Sequence, residues 1–266
     1  MSWNVETDRS GSMFDLTGRK ALIVGIANEH SIAYGCAKAM GALGAELAIT
    51  WLNDKARPHV EPLAAALGAT ISAPLDVTNV AEEQALFDQI ASTWGDLDIL
   101  VHSIAYCPKD DLHGRVVDCS AAGFGQAMDI SVHSFLRLIR RAEPLMAGGG
   151  VAMTVSFYGS GEVVKDYNIM GPVKAALESV TRYTAMELGP KGIRVHALSP
   201  GPLATRAASG IAHFDALMDD AAKRAPTHAL TTIDEIGAYA AFLASDQARN
   251  TTGGIHLIDG GLSIVA

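Results

Sequence analysis

Residues 156–188 read SFYGSGEVVKDYNIMGPVKAALESVTRYTAMEL, and how this stretch is entered and left decides the fold. An apolar run over residues 151–155 precedes it, with the length and composition of a buried strand. A Gly-containing loop follows, and then a helical pattern. Val173, Leu177, Val180, the small Thr184 and Leu188 recur at three- and four-residue steps, so one face of this helix is buried. The pattern predicts that Tyr167 and Lys174 share that helix. Seven residues at 100° each fall about 20° short of two turns, which sets the two side chains on one face roughly 10 Å apart along the axis. A tyrosine hydroxyl is a donor with an ordinary pKa of about 10, and a nearby ammonium favours its ionised form. The pair suits an oxygen that gains negative charge. A packed aromatic at a helix start beside a solvated lysine has the same spacing, so the remainder of the chain has to decide.

Working outward, the same strand-to-helix step recurs in both directions. Strands are predicted at residues 21–24, 47–52, 69–76, 97–103, 151–155, 193–198 and 254–259. Helices are predicted at 32–43, capped by Ser31, and at 62–67, 81–94, 122–146 and 233–243. Residues 104–120 read as irregular, and 1–15 as a polar tail. Alternation without a linker or repeat means βαβ units and a parallel sheet with helices on both faces. The expectation is one α/β domain over residues 1–266, a Rossmann-like doubly wound sheet of about seven strands. In such sheets ligands lie beyond the carboxyl ends of the strands, which here are Gly25, Asp76, residues 102–106, Ser156 and Gly201.

Composition narrows the function. Hydrophobic residues make up 49% of the 266, charged residues 18%, and net charge is −9 without a basic block. A large core is affordable, and nucleic acid and anionic membrane are poor partners. Residues 1–18 lack an apolar signal region, and no apolar run reaches spanning length. The three cysteines show no paired spacing, which fits a reduced cytoplasmic protein better than a disulfide framework or a metal site.

Three further stretches bear on chemistry. GIANEHSIAYG (25–35) puts a turn before a helix N-terminus, an anion site in principle; Gly25, Gly35, Ala27 and Ala33 allow close backbone approach. The G-x-G-x-x-G spacing is absent, and an ordinary βα turn reads the same way. After the second strand come Trp51, Leu52, Asn53 and Asp54; no acid sits directly at the strand end to hold a ribose, and Lys55 and Arg57 follow, which leaves NADH and NADPH both open. Asp76 either accepts from an adenine amino group or caps a helix. Ser103 and Ala105 would line a groove, with His102 in either core or groove. SPGPLATRAASG (199–210) and the run to about 224 form a lid or a plain surface loop.

Taken together, GIANEHSIAYG, LDV, HSIA, the Tyr167–Lys174 spacing in YNIMGPVKAALE, SPGPLATRAASGI and the closing IDGG resemble the bacterial enoyl-acyl-carrier-protein reductases, a divergent branch of the short-chain dehydrogenase/reductases. The likeness runs from about Leu16 to the end. The ordinary branch carries YxxxK, and here Gly171 stands four after Tyr167. The resemblance implies NADH-dependent reduction of trans-2-enoyl thioesters of acyl carrier protein in fatty acid synthesis, by a cytoplasmic homotetramer, with NADPH as the alternative cofactor. It implies that Gly25, Ser31 and Ile32 hold the pyrophosphate, Asp76 and Val77 the adenine, and Lys174 the nicotinamide ribose. Ile104 would lie along the cofactor, and Leu203, Ala204, Thr205, Arg206 and Ala207 at its nicotinamide end. Tyr167 would donate to the thioester carbonyl, with Cys107, Phe157 and Tyr158 beside the acyl group; no metal is implied. Two departures stand out. Relatives carry tyrosine where this chain has Phe157, and often glutamine where it has Leu52. The competing readings are a carbonyl or alcohol dehydrogenase, for which Thr154 has the serine's spacing before Tyr167, and a cofactor-binding protein without chemistry.

Overall fold

The computed structural model describes residues 14–205 and 213–265. Its elements run β1 (Lys20–Val24), α1 (Ile32–Ala42), β2 (Glu46–Trp51), α2 (Arg57–Ala66), β3 (Ile71–Pro74), α3 (Val80–Thr93), β4 (Ile99–His102), α4 (Lys109–His113) and α5 (Ala121–Met128). They continue with α6 (Ser134–Ala142), β5 (Gly150–Val155), α7 (Met170–Leu188), β6 (Ile193–Pro200), α8 (Phe214–Arg224), α9 (Ile233–Ala244) and β7 (Ile255–Ile258). Among the described residues seven strands form one parallel sheet in the order β3-β2-β1-β4-β5-β6-β7. Strand order reverses between β1 and β4, which opens the crevice where doubly wound sheets bind ligands.

The inner strands are mostly apolar because both faces are covered, whereas the edge strand β3 alternates buried and exposed residues. Side chains alternate across the sheet. Leu22 and Val24 face a core with Leu86 and Ile90 of α3, Phe135 of α6, and Val173 and Leu177 of α7. Ala21 and Ile23 face the opposite core, with Cys36 and Met40 of α1, Val60 of α2, and Ile236 and Leu243 of α9. No helix among the described residues is long and apolar enough to cross a membrane.

Several local expectations need correction. Tyr167 is not on the long helix. Asp166 and Asn168 adopt positive φ of 64° and 45°, a conformation Asp and Asn tolerate best, and it holds the chain out of helix until Met170. Pro172 then falls in the first turn, where its missing N–H costs nothing. Ser31 sits at the N-cap of α1 but does not cap it; its Oγ accepts from the N–H groups of Ala27 and Asn28 at 3.0 and 3.1 Å. The second helix starts at Arg57, well before Pro62, because Asn53 Oδ1 gathers the N–H groups of Lys55 and Ala56 into a turn that launches it. Pro62 lies inside that helix. The stretch read as irregular contains α4, and the helices at 122–146 are α5 and α6 joined by a π-turn at Asp129–His133. Gly35 serves helix packing: a Cβ there would lie 2.1 Å from the carbonyl oxygen of Ile233, and one on Gly237 2.2 Å from that of Gly35, so α1 and α9 meet backbone to backbone.

Candidate active site

A cleft of about 210 Å³ opens at the carboxyl ends of β1, β4, β5 and β6. At its floor Gly25 has φ +108°, and a Cβ there would lie 2.1 Å from the carbonyl oxygen of Ser103. Only glycine lets the ends of β1 and β4 close up in this way. Ala27, Ser31 and Ile32 form one wall. With Ser31 Oγ turned back onto the loop, no side chain caps α1; Tyr34 N–H donates to the carbonyl oxygen of Ser31 at 2.9 Å, and the N–H groups of Ile32 and Ala33 lie ahead of the first helical bond. This is the polarity and shape a phosphate takes up.

Lys174 enters from the second turn of α7, is buried, and donates from Nζ to the carbonyl oxygen of Val155 at 2.7 Å. Burial pulls its pKa down to about 8, and the carboxylate of Glu178 opposes that fall. Tyr167 lines the same cleft from the turn before α7, its ring 4.8 Å from that of Phe157. Burial pushes its hydroxyl pKa well above the ordinary range, and Glu178 adds to the rise. The expected lowering by a nearby ammonium is absent, so the hydroxyl stays a neutral donor at physiological pH. No described residue hydrogen-bonds to it.

Of the residues singled out from sequence, the cleft brings together Gly25, Ser31, Ile32, Ile104, Cys107, Phe157, Tyr167, Lys174, Leu203 and Thr205. Burial pushes the Cys107 thiol up to about 11, so it is an uncharged wall. Asp76, Val77, Ala204 and Tyr158 do not line it. The Asp76 carboxylate accepts from the N–H and hydroxyl of Thr78, at 2.9 and 2.7 Å, while Asn79 caps α3. Val77 holds Arg137 through its carbonyl oxygen. Tyr158 packs toward Ala221, Ala225 and Leu262. Arg206 and Ala207 lie outside the described residues, as does the middle of the segment read as a lid.

His102 is a core histidine. Nδ1 lies 2.9 Å from Thr154 Oγ1 and Nε2 2.8 Å from Ser134 Oγ, and burial lowers its pKa to about 3. Thr154 is thereby turned into the core and away from the cleft, so it cannot act as the serine of an ordinary carbonyl reductase.

Sequence reasoning missed Glu178, whose Oε1 accepts from Ser156 Oγ and Ser160 Oγ, both at 2.6 Å. Its position four residues after Lys174 was the available signal. It also missed Ser131, in the π-turn, which bonds both backbone groups of Tyr106. Met170 and Phe214 complete the apolar wall.

Sheet order, an open helix N-terminus at the switch point and a buried Tyr–Lys pair in one cleft define a Rossmann-type reductase. A family profile described as enoyl-(acyl carrier protein) reductase matches residues 25–263. An enoyl-acyl-carrier-protein reductase (NADH) of Rhizobium meliloti is 43% identical over 94% of this chain and 92% of its own. The crystal structure of such an NADH enzyme from Aquifex aeolicus superposes with TM-score 0.91 at 44% identity, covering 94% of this chain and 98% of that one. The Anaplasma phagocytophilum enzyme, solved in complex with NAD, gives TM-score 0.91 at 42% identity, over 94% and 96% of the two chains. The chain belongs to the enoyl-acyl-carrier-protein reductase family.

Proposed function

We propose that this protein reduces the trans-2 double bond of enoyl thioesters carried on acyl carrier protein, using NADH, as a step of fatty acid synthesis. The observation that carries the reading is the convergence of Tyr167, Lys174 and the α1 N-terminus on one cleft. The residues fit the cofactor. Gly25 lets the ends of β1 and β4 close into the floor below a pyrophosphate, the N–H groups at the start of α1 answer its charge, and Lys174 is placed to donate to the nicotinamide ribose. When bound, NADH supplies the hydride. Tyr167, kept protonated by burial, donates to the thioester oxygen as negative charge builds there. Phe157 and Cys107 give the acyl thioester an apolar wall, and Ile104, Leu203 and Thr205 flank the nicotinamide end. Asp76 and Val77 are assigned to the adenine end, beyond the cleft itself.

NADH is favoured over NADPH by the end of β2. Arg57, the cation nearest in sequence to carry a 2′-phosphate along with Lys55, lies 5.4 Å over the Trp51 ring and pairs with Glu61 at 2.9 Å. We read residues 1–266 as one domain, with residues 203–224 as the cover of the cleft; Leu203, Thr205 and Phe214 on its wall support this. We infer a homotetramer, supported by the large apolar side chains of Tyr183 and Met186 exposed on α7 and Phe124 on α5. A cytoplasmic location is supported by three free cysteines. Following NADH and NADPH consumption with crotonyl and 3-ketoacyl thioesters tests the whole reading. Turnover of the ketoacyl substrate alone would refute it.

A further inference from the structure

We propose that Glu178 is a positioning residue that sets the cofactor-binding lysine and the substrate wall together. The inference rests on the assignment of Lys174 to cofactor binding.

One oxygen of Glu178 gathers two hydroxyls, those of Ser156 and Ser160, at 2.6 Å each. That length belongs to O–H···O⁻ bonds with a charged acceptor. Between the two serines lie Phe157, Tyr158 and Gly159. Ser156 is also tied to β6, its N–H donating to the carbonyl oxygen of Leu198 at 2.7 Å. The carboxylate therefore closes a clamp on the turn that carries Phe157, whose ring lies 4.8 Å from Tyr167. In the other direction Glu178 stands one helical turn from Lys174, with which it makes no direct ion pair. Lys174 is buried and Glu178 half-buried, so the charge of the carboxylate is screened less than between two exposed side chains. The titratable groups around Lys174 are Glu178 on its own helix, Tyr167 in the turn before it, and His102 on β4. Burial keeps the last two neutral. Among them Glu178 is the group that holds Lys174 protonated against the pull of burial.

The sign follows. An ammonium that binds the cofactor is lost as pH rises through its pKa, so NADH affinity falls on the alkaline side. Replacing the carboxylate by an amide removes the opposing charge and moves that fall to lower pH. Glu178→Gln keeps an acceptor for the serines, whereas Glu178→Asp keeps the charge but is one methylene too short to span both hydroxyls.

The test is NADH binding by fluorescence titration between pH 6 and 10, with crotonyl thioester reduction measured in parallel and folding checked by circular dichroism. In the wild type the dissociation constant rises with a midpoint near pH 8. Glu178→Gln lowers the midpoint by about one unit, and weakens binding about fivefold at pH 8. Glu178→Asp and Ser160→Ala leave the midpoint within about 0.3 unit of the wild type, while Glu178→Asp raises the KM for the thioester. A wild-type midpoint that Glu178→Gln does not move, or an equal shift in Ser160→Ala, overturns the inference. A protein whose NADH midpoint moves as expected but which reduces no enoyl thioester overturns the assigned reaction and leaves the role of Glu178 standing.

Discussion

Replacing Tyr167 by phenylalanine deletes one oxygen, and the structure separates what that oxygen does for folding from what it does for chemistry. The ring is buried and stays in contact with Phe157. Its hydroxyl has no hydrogen-bond partner among the described residues, so removal orphans no protein group. The stability change should stay within about 0.5 kcal/mol, a shift of about 2 °C or less in Tm for a chain of this size. NADH affinity should hold within about twofold, because Lys174 and the α1 N-terminus are untouched. Turnover is another matter. A single donor aimed at developing oxyanion charge is worth about 2.7–4 kcal/mol, or about 100- to 1000-fold in rate. The measurement is NADH oxidation at saturating crotonyl thioester, with single-turnover traces to isolate the chemical step, and melting and NADH titration as controls. Turnover within about fivefold of wild type would refute the donor role. A Tm loss beyond about 5 °C would show that the hydroxyl is structural after all.

Lys174→Met should weaken NADH binding as well as turnover; unchanged affinity by titration would remove the ribose contact. Phe157→Tyr should alter the rate by no more than about tenfold, about 1.4 kcal/mol in barrier, because Tyr167 alone faces the oxyanion. A hundredfold gain would mean that the natural substrate is different. His102 and His196 are buried with pKa values lowered to about 3, from an ordinary 6.5. The unfolded chain binds those protons first, so stability is fully present above about pH 6.5 and falls below it. Between pH 7.5 and 5.5 the two together should cost about 2.5 kcal/mol. Urea midpoints that coincide at the two pH values would contradict this. The Michaelis constant should be lower for NADH than for NADPH, and Arg57→Ala should not reverse the order, since Arg57 is already engaged by Trp51 and Glu61.

The alternation of apolar strands with amphipathic helices is local, and it sufficed to place every strand of the sheet and to point at its carboxyl end. Gly25, Tyr167, Lys174 and residues 103–107 were legible for the same reason, since they follow strands whose ends a parallel sheet gathers on one edge. What residue order alone could not decide is direction. Thr154 lies within β5 and is held by His102 in the core, while Ser156, past the strand end and free of the strand's alternation, reaches the cleft. Asp76 and Tyr158 lie beyond the cleft, the first holding Thr78 and the second packed toward α8, which residue order alone did not show. Tyr167 was legible as a residue and misplaced as an element, because two left-handed residues, Asp166 and Asn168, interrupt a helical pattern that periodicity extends through them. Glu178 was invisible for a different reason. A glutamate on a helix is ordinarily a solvated side chain, and only the return of the β5 strand end against α7 brings two serine hydroxyls to it. Local pattern fixes which elements form. Long-range packing, through burial and the partners it imposes, decides which of their side chains carry the chemistry.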